Sequence, residues 1–189
     1  MTLKFASSMV AALFAWSAAA ADTYTNDPAH TFPNFEVSHL GFSTMRGRFN
    51  KTTAKITVDK AAKTGSVEAT VDAASLDTGW AKRDEHLKSG DFFNVEKFPT
   101  VAFKSDSFKF DGDKLVSVPG QLTMLGVTKP VTLQIANFKC APHPMLKREN
   151  CGAEISTTIK RSDFGMSFGL PAVGDDIKIA IELEALKDS

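Results

Sequence analysis

Ile177-Lys178-Ile179-Ala180-Ile181-Glu182-Leu183-Glu184 carries an apolar side chain at every odd position and a charged or small one at every even position. Successive side chains of a strand point to opposite faces, so a period of two marks a strand with one buried face. The same alternation recurs along the chain: Ile56 and Val58, Val67 with Ala69 and Val71, Val101 with Phe103, Val131 with Leu133 and Ile135, and Ile155 with Thr157 and Ile159. Turn-forming stretches separate these runs at residues 59–65, at Asp111-Gly112-Asp113-Lys114 and at Gly126-Val127-Thr128-Lys129-Pro130. About eight to ten short strands joined this way predict an all-β antiparallel architecture.

One stretch breaks the period. Between Leu76 and Gly90, Asp77 or Thr78 serves as an N-cap and Gly90 as a stop, which predicts a short helix. Trp80, Arg83 or Asp84, and Leu87 then share a face, and the helix is expected to lie across an opening of the sheet. Periodicity admits both a closed barrel and a two-sheet sandwich. Composition leans to a barrel with an internal cavity: fifteen Phe stand against one Tyr and two Trp, and Ala69, Ser105 and Thr157 are small or hydroxylated at inward positions.

Export is the next inference. Lys4 precedes an apolar run from Phe5 to Trp16, and Ser17 with four alanines follows, ending at Ala21. This is the layout of a secretory signal peptide over residues 1–21 with cleavage after Ala21, so the mature chain is expected to span residues 22–189 as one periplasmic domain. A transmembrane anchor would need about 18 to 20 apolar residues, and this run is shorter. Lys and Arg balance Asp and Glu at 22 each, which argues against a nucleic-acid partner. In an exported chain the two cysteines, Cys140 and Cys151, are expected to form a disulfide. The competing reading makes Cys140, His143 and Cys151 zinc ligands, a set one short of the usual structural four.

Catalytic signatures are weak. Gly165-Met166-Ser167-Phe168-Gly169 matches a nucleophile elbow in letters, but Leu170-Pro171 is a poor helix start and the last histidine, His143, lies upstream. His30, His39, His86 and His143 show no i, i+4 pair and are expected to be structural hydrogen-bonders, so neither a metal nor a cofactor is expected, and no enzymatic activity. Arg83, His86 and Arg161 are the cations suited to an anionic headgroup at a barrel mouth. The alternative is local pairing of Arg83 with Asp84 or Asp91 and of Arg161 with Asp163.

An ordered set of blocks then runs through the chain: Asp27-Pro28-Ala29-His30, Val37-Ser38-His39-Leu40-Gly41, Gly47-Arg48-Phe49, Arg83-Asp84-Glu85-His86-Leu87-Lys88-Ser89, Asp91-Phe92-Phe93, Gly126-Val127-Thr128-Lys129-Pro130-Val131 and Lys160-Arg161-Ser162-Asp163-Phe164-Gly165. Together they resemble the YceI-like polyisoprenoid-binding family of exported, lipocalin-like proteins. The resemblance implies an extended eight-stranded antiparallel barrel around an apolar tunnel, holding a long isoprenoid of the quinone or polyprenyl phosphate type or a similar long-chain amphiphile. It also implies a homodimer, and a carrier's task adds transient membrane contact. On that reading Phe35, Val37, Phe42, Phe92, Phe93, Phe103 and Phe168 are expected to line the chain site, and Arg83, His86 and Arg161 to meet the head. The alternative function is a ligand-free structural or stress-related interaction module of the cell envelope, its interior filled by its own side chains.

Overall fold

The computed structural model describes residues 21–189, so the expected leader lies, but for Ala21, outside the described residues. Asp22–Asn26 (β1) and Phe32–His39 (β2) both lie along Asp176–Lys187 (β12), with Tyr24 opposite Lys187 and Glu36 opposite Lys178. They form one stave interrupted at residues 27–31. Ser43–Phe49 (β3) and Thr52–Asp59 (β4) form a second interrupted stave, and Thr64–Asp72 (β5) with Leu76–Asp77 (β6) a third, broken by the 3-10 turn Ala73–Ser75. Thr100–Ser105 (β7), Lys114–Met124 (β9, whose start pairs with the short Lys109–Asp111, β8), Val127–Pro142 (β10), Glu149–Lys160 (β11) and β12 complete eight antiparallel staves. Pairing of β1 with both β12 and β4 closes the barrel, which removes the open edges a sandwich would retain.

The alternation in β12 does what its spacing demands, with Ile177, Ile179, Ile181 and Leu183 turned to the interior. Two local expectations give way. The turn expected over Gly126–Pro130 is confined to Leu125-Gly126, both at positive φ, and Val127 already pairs with Met124. Two consecutive left-handed residues close a two-residue hairpin that suits strand twist, so Thr128 and Pro130 continue as strand. The helix, Ala81–Lys88 (α1), starts after Trp80 with no side-chain cap. Asp84 instead reaches back to accept from the Thr78 amide at 2.9 Å and the Thr78 hydroxyl at 2.5 Å, and Asp77 accepts from the Gly79 amide at 2.8 Å. The polar residues close the turn ahead of the helix rather than its first amides.

Antiparallel alternation places the 40–42 tip, segment 78–99 with α1, the 125–126 turn and segment 161–175 at one end, called upper here. The 60–63, 112–113 and 143–148 turns lie at the lower end. Buried clusters pack both ends: Tyr24, Phe103, Phe108, Leu115 and Val118 below, and Met124, Ile159, Phe164 and Met166 above. Gly47 faces Phe35 across β2 and β3, and a Cβ there would lie 2.5 Å from the ring's Cζ. The missing side chain is what lets the ring cross onto the neighbouring strand. At the lower end Cys140 and Cys151, direct partners across β10 and β11, are joined as a disulfide. The sulfurs are bonded to each other, and His143 Nδ1 accepts from the amides of Met145 and Leu146, so the zinc reading is overturned.

Candidate functional site: an apolar channel inside the barrel

A cavity of about 230 Å³ lies inside the barrel, between the packed ends, with an almost wholly apolar lining. Its wall follows the staves. Ile177 to Leu183 on β12, Ile155 and Ile159 on β11, Val131 and Leu133 on β10, and Val67, Ala69 and Val71 on β5 contribute alternate side chains. Phe35 and Val37 on β2, Phe49 on β3 and Phe103 on β7 add to it, while Leu87, Phe92 and Phe93 of segment 78–99 and Met166 and Val173 of segment 161–175 lie over its upper end. Phe35, Phe49 and Phe93 form an aromatic row, with ring centroids 5.8 Å and 5.4 Å apart.

A second cavity, about 80 Å³, lies below the first. Ile56, Val67, Leu133, Ile155 and Leu183 line both, so they form an apolar waist between the two chambers. The lower chamber is walled by Tyr24, Phe108, Val118 and the disulfide. Beneath it the Tyr24 hydroxyl donates to Glu149 Oε1 at 2.5 Å and Lys60 Nζ donates to the same oxygen at 2.8 Å. Those two hydrogen bonds, that of Lys60 foremost, hold the Glu149 carboxyl below its ordinary pKa. Burial, reinforced by Glu149, pushes the Tyr24 phenol far above its own. The channel thus has a polar, charged floor.

At the upper end Arg161 is only 2% exposed. Its guanidinium donates to four main-chain carbonyls: Gly174 at 2.8 Å, Met166 at 3.0 Å, Phe168 at 2.9 Å and Val173 at 2.9 Å. It ties segment 161–175 to β11 and lines the cavity. Arg83 donates to the Thr78 hydroxyl at 2.8 Å and the Thr78 carbonyl at 2.7 Å. Neither arginine takes part in an ion pair among the described residues, so the local pairings with Asp84, Asp91 and Asp163 are not formed. His86 Nε2 lies 3.0 Å from Asp91, and its ring meets Phe92 and Phe168 edge-on at 5.1 Å and 5.4 Å. This cluster joins segments 78–99 and 161–175 above the cavity.

Of the apolar residues expected to hold a chain, Phe35, Val37, Phe92, Phe93 and Phe103 border the channel. Phe42 stands at the β2–β3 tip, 89% exposed, and Phe168 packs outside on Phe92 and His86. Ser105, read as inward, turns its hydroxyl to the Pro119 carbonyl at 2.6 Å, whereas Ala69 and Thr157 do line the cavity. The sequence list omitted Phe49, Leu122, Met124 and the inward residues of β12. The last were recoverable from the period-two signal that identified the strand.

Among the described residues that line the upper cavity there is no histidine, cysteine, aspartate or glutamate. The site has the means to remove an apolar chain from water. The 165–169 segment is an irregular turn with no helix after it, and Ser167 is exposed. A larger, open groove, about 870 Å³, lies on the outer face between Arg46, Arg48, Gln134 and Lys178, with Arg46 held by Glu36 at 2.7 Å.

The YceI-like domain family model matches residues 24–185. A UPF0312 protein of Pseudomonas aeruginosa is 37% identical over 179 residues, covering 93% of each chain. Protein YceI of Escherichia coli O157:H7 is 37% identical over 187 residues, 98% of this chain and 95% of that one. Among solved structures, BcnA of Burkholderia cenocepacia superposes with a TM-score of 0.71 at 24% identity, over 84% of this chain and 98% of its own. A polyisoprenoid binding domain from Saccharophagus degradans, implicated in plant cell wall breakdown, gives 0.65 at 15% identity over 87% and 98%. These last two likenesses are of fold.

Proposed function

Because the chain belongs to the YceI-like family, we propose that it is a periplasmic carrier that holds a long isoprenoid, of the quinone or polyprenyl phosphate type, in the barrel channel. The observation that carries this reading is the dry lining that runs from Phe92 and Phe93 past the waist to the disulfide. Each methylene moved from water into such a lining contributes about 0.8 kcal/mol, so a few prenyl units offset a substantial association cost. The polyisoprenoid-binding domain that shares the fold supports the same cargo class. In this reading the polar end of the cargo stays near Arg83 and His86, while Arg161 holds the segment above the chain. The expected leader and the disulfide both suit an oxidising, exported setting.

The test is native mass spectrometry of the exported protein, followed by organic extraction of whatever travels with it. Co-purifying prenyl lipid, and its loss in a cavity-filling Ala69→Phe variant that still folds, is the expected result. A wild-type protein that carries nothing and refuses added quinones and polyprenyl phosphates overturns the reading. One observation favours the ligand-free interaction module instead: the upper cavity is smaller than the ~300–1,000 Å³ of ordinary ligand sites.

A further inference from the structure

Four large apolar residues stand out into solvent at the upper end: Phe42 at 89% exposure, Trp80 at 57%, Leu40 at 52% and Phe168 at 49%. They come from three separate segments that the fold ties together. The Leu40 amide donates to the Ala172 carbonyl, and His39 bridges Val173, which fixes the β2–β3 tip to segment 161–175. Phe168 of that segment packs on His86 of α1, the helix that Trp80 precedes. The rim is also continuous with the channel, since Phe168 touches Phe92 at 5.4 Å between ring centroids and Phe92 lines the cavity. Isolated exposed apolar residues are common, but a cluster tied together around one end of a cavity marks a contact surface.

The surrounding charge selects the partner. Lys82, Arg83 and Lys88 on α1 and Lys129 at the start of β10 take part in no ion pair among the described residues. The acids are interspersed with them: Asp84 is engaged by Thr78 and Asp91 by His86, while exposed Glu85, Glu96 and Asp163 take part in no ion pair among the described residues either, so the rim is mixed in charge. Apolar tips set among charges of both signs complement a surface that is hydrocarbon below and carries the paired phosphate and ammonium groups of zwitterionic lipid above. We propose that the upper rim docks the barrel on a phospholipid bilayer, with Leu40, Phe42, Trp80 and Phe168 entering the interface and the lysines meeting lipid phosphates. Docked this way, the channel lining joins the membrane's own apolar phase, and a prenyl chain passes between them with little exposure to water. The proposal rests on the carrier reading for its purpose, not for its test.

Trp16 lies within the expected leader, so Trp80 is the one tryptophan of the chain from Asp22 onward and reports on the rim directly. The mature chain is mixed with vesicles of phosphatidylcholine, with and without phosphatidylglycerol, and followed by flotation and by quenching of Trp80 with brominated lipid. Binding to both vesicle types, with quenching of Trp80, is expected. Leu40→Asn with Phe42→Ser should weaken partitioning about tenfold or more, because two apolar side chains no longer leave water. Asn is chosen because Leu40 has a φ of 53°, which Asn tolerates. Met145 and Leu146, 81% and 51% exposed at the lower end, supply the control, and Met145→Ser with Leu146→Ser should bind as the wild type does. Absence of flotation, equal flotation of the Leu40/Phe42 variant, loss in the Met145/Leu146 variant, or Trp80 buried in a homodimer instead of lipid would each overturn the proposal. Uptake of a prenyl probe delivered on cyclodextrin, without vesicles, is measured in parallel. Vesicle binding with no uptake removes the carrier reading alone, and uptake without vesicle binding removes the docking alone.

Discussion

Glu149 gathers two donors on one carboxylate, which couples its protonation state to the contacts of the channel floor. Its pKa lies below the unfolded value, so the stability it contributes is present above the ordinary carboxylate pKa of about 4.3 and is lost as pH falls through the lowered folded value. Tyr24 runs the other way. Its raised pKa contributes stability below the ordinary phenol value of about 10 that is lost as pH rises towards the folded value. Urea midpoints measured across pH should therefore fall on both flanks. Glu149→Gln is expected to flatten the acid limb and Tyr24→Phe the alkaline one, and unchanged limbs would mean that the pair does not couple to folding. None of this was legible in the sequence, where Tyr24 and Glu149 are 125 positions apart and belong to no local motif.

Segment 161–175 shows how an element can depend on one side chain. It has a short 3-10 turn, Arg161–Phe164, and otherwise irregular backbone, and the carbonyls of Met166, Phe168, Val173 and Gly174 turn inward to the Arg161 guanidinium. Removing a buried charged donor leaves several carbonyls unpaired at once. Arg161→Gln is expected to cost about 3 kcal/mol, read from a urea midpoint, and to raise amide exchange across residues 166–174 above that of the barrel strands. A loss below about 0.5 kcal/mol would mean that the segment is held by other contacts. The sequence singled out Arg161 as a cation of interest, yet as one for a headgroup. Its partners lie up to 13 residues away around an irregular loop, so neither periodicity nor neighbouring acids pointed to them. The helix was legible as an element, but its cap was not, because Asp84 competes for Thr78 only once the first turn has formed.

At the scale of the molecule, the barrel places its tight packing at the two ends and its free volume between them. The waist divides that volume into two chambers. Leu183 borders both chambers from β12, and Leu183→Ala should open the waist. The expected cost is about 3 kcal/mol of stability, with a shift in competition assays towards longer prenyl chains. An unchanged chain-length order would show that cargo does not reach the waist.

Ile177 to Glu184 sufficed to establish strands with one inward face, and the repeated pattern, with the family blocks, carried this to an antiparallel barrel of eight staves and one short helix. An alternating strand reports which side of the sheet a residue faces and nothing of how far away the opposite wall stands. Val58 and Val67 are therefore alike in sequence, although one is closed into the lower core and the other borders both chambers. Closure of the barrel decides whether inward side chains meet or leave a channel, and hairpin geometry decides that Phe42 points to solvent. Those outcomes depend on distances between staves remote in the chain, which only the tertiary structure brings together.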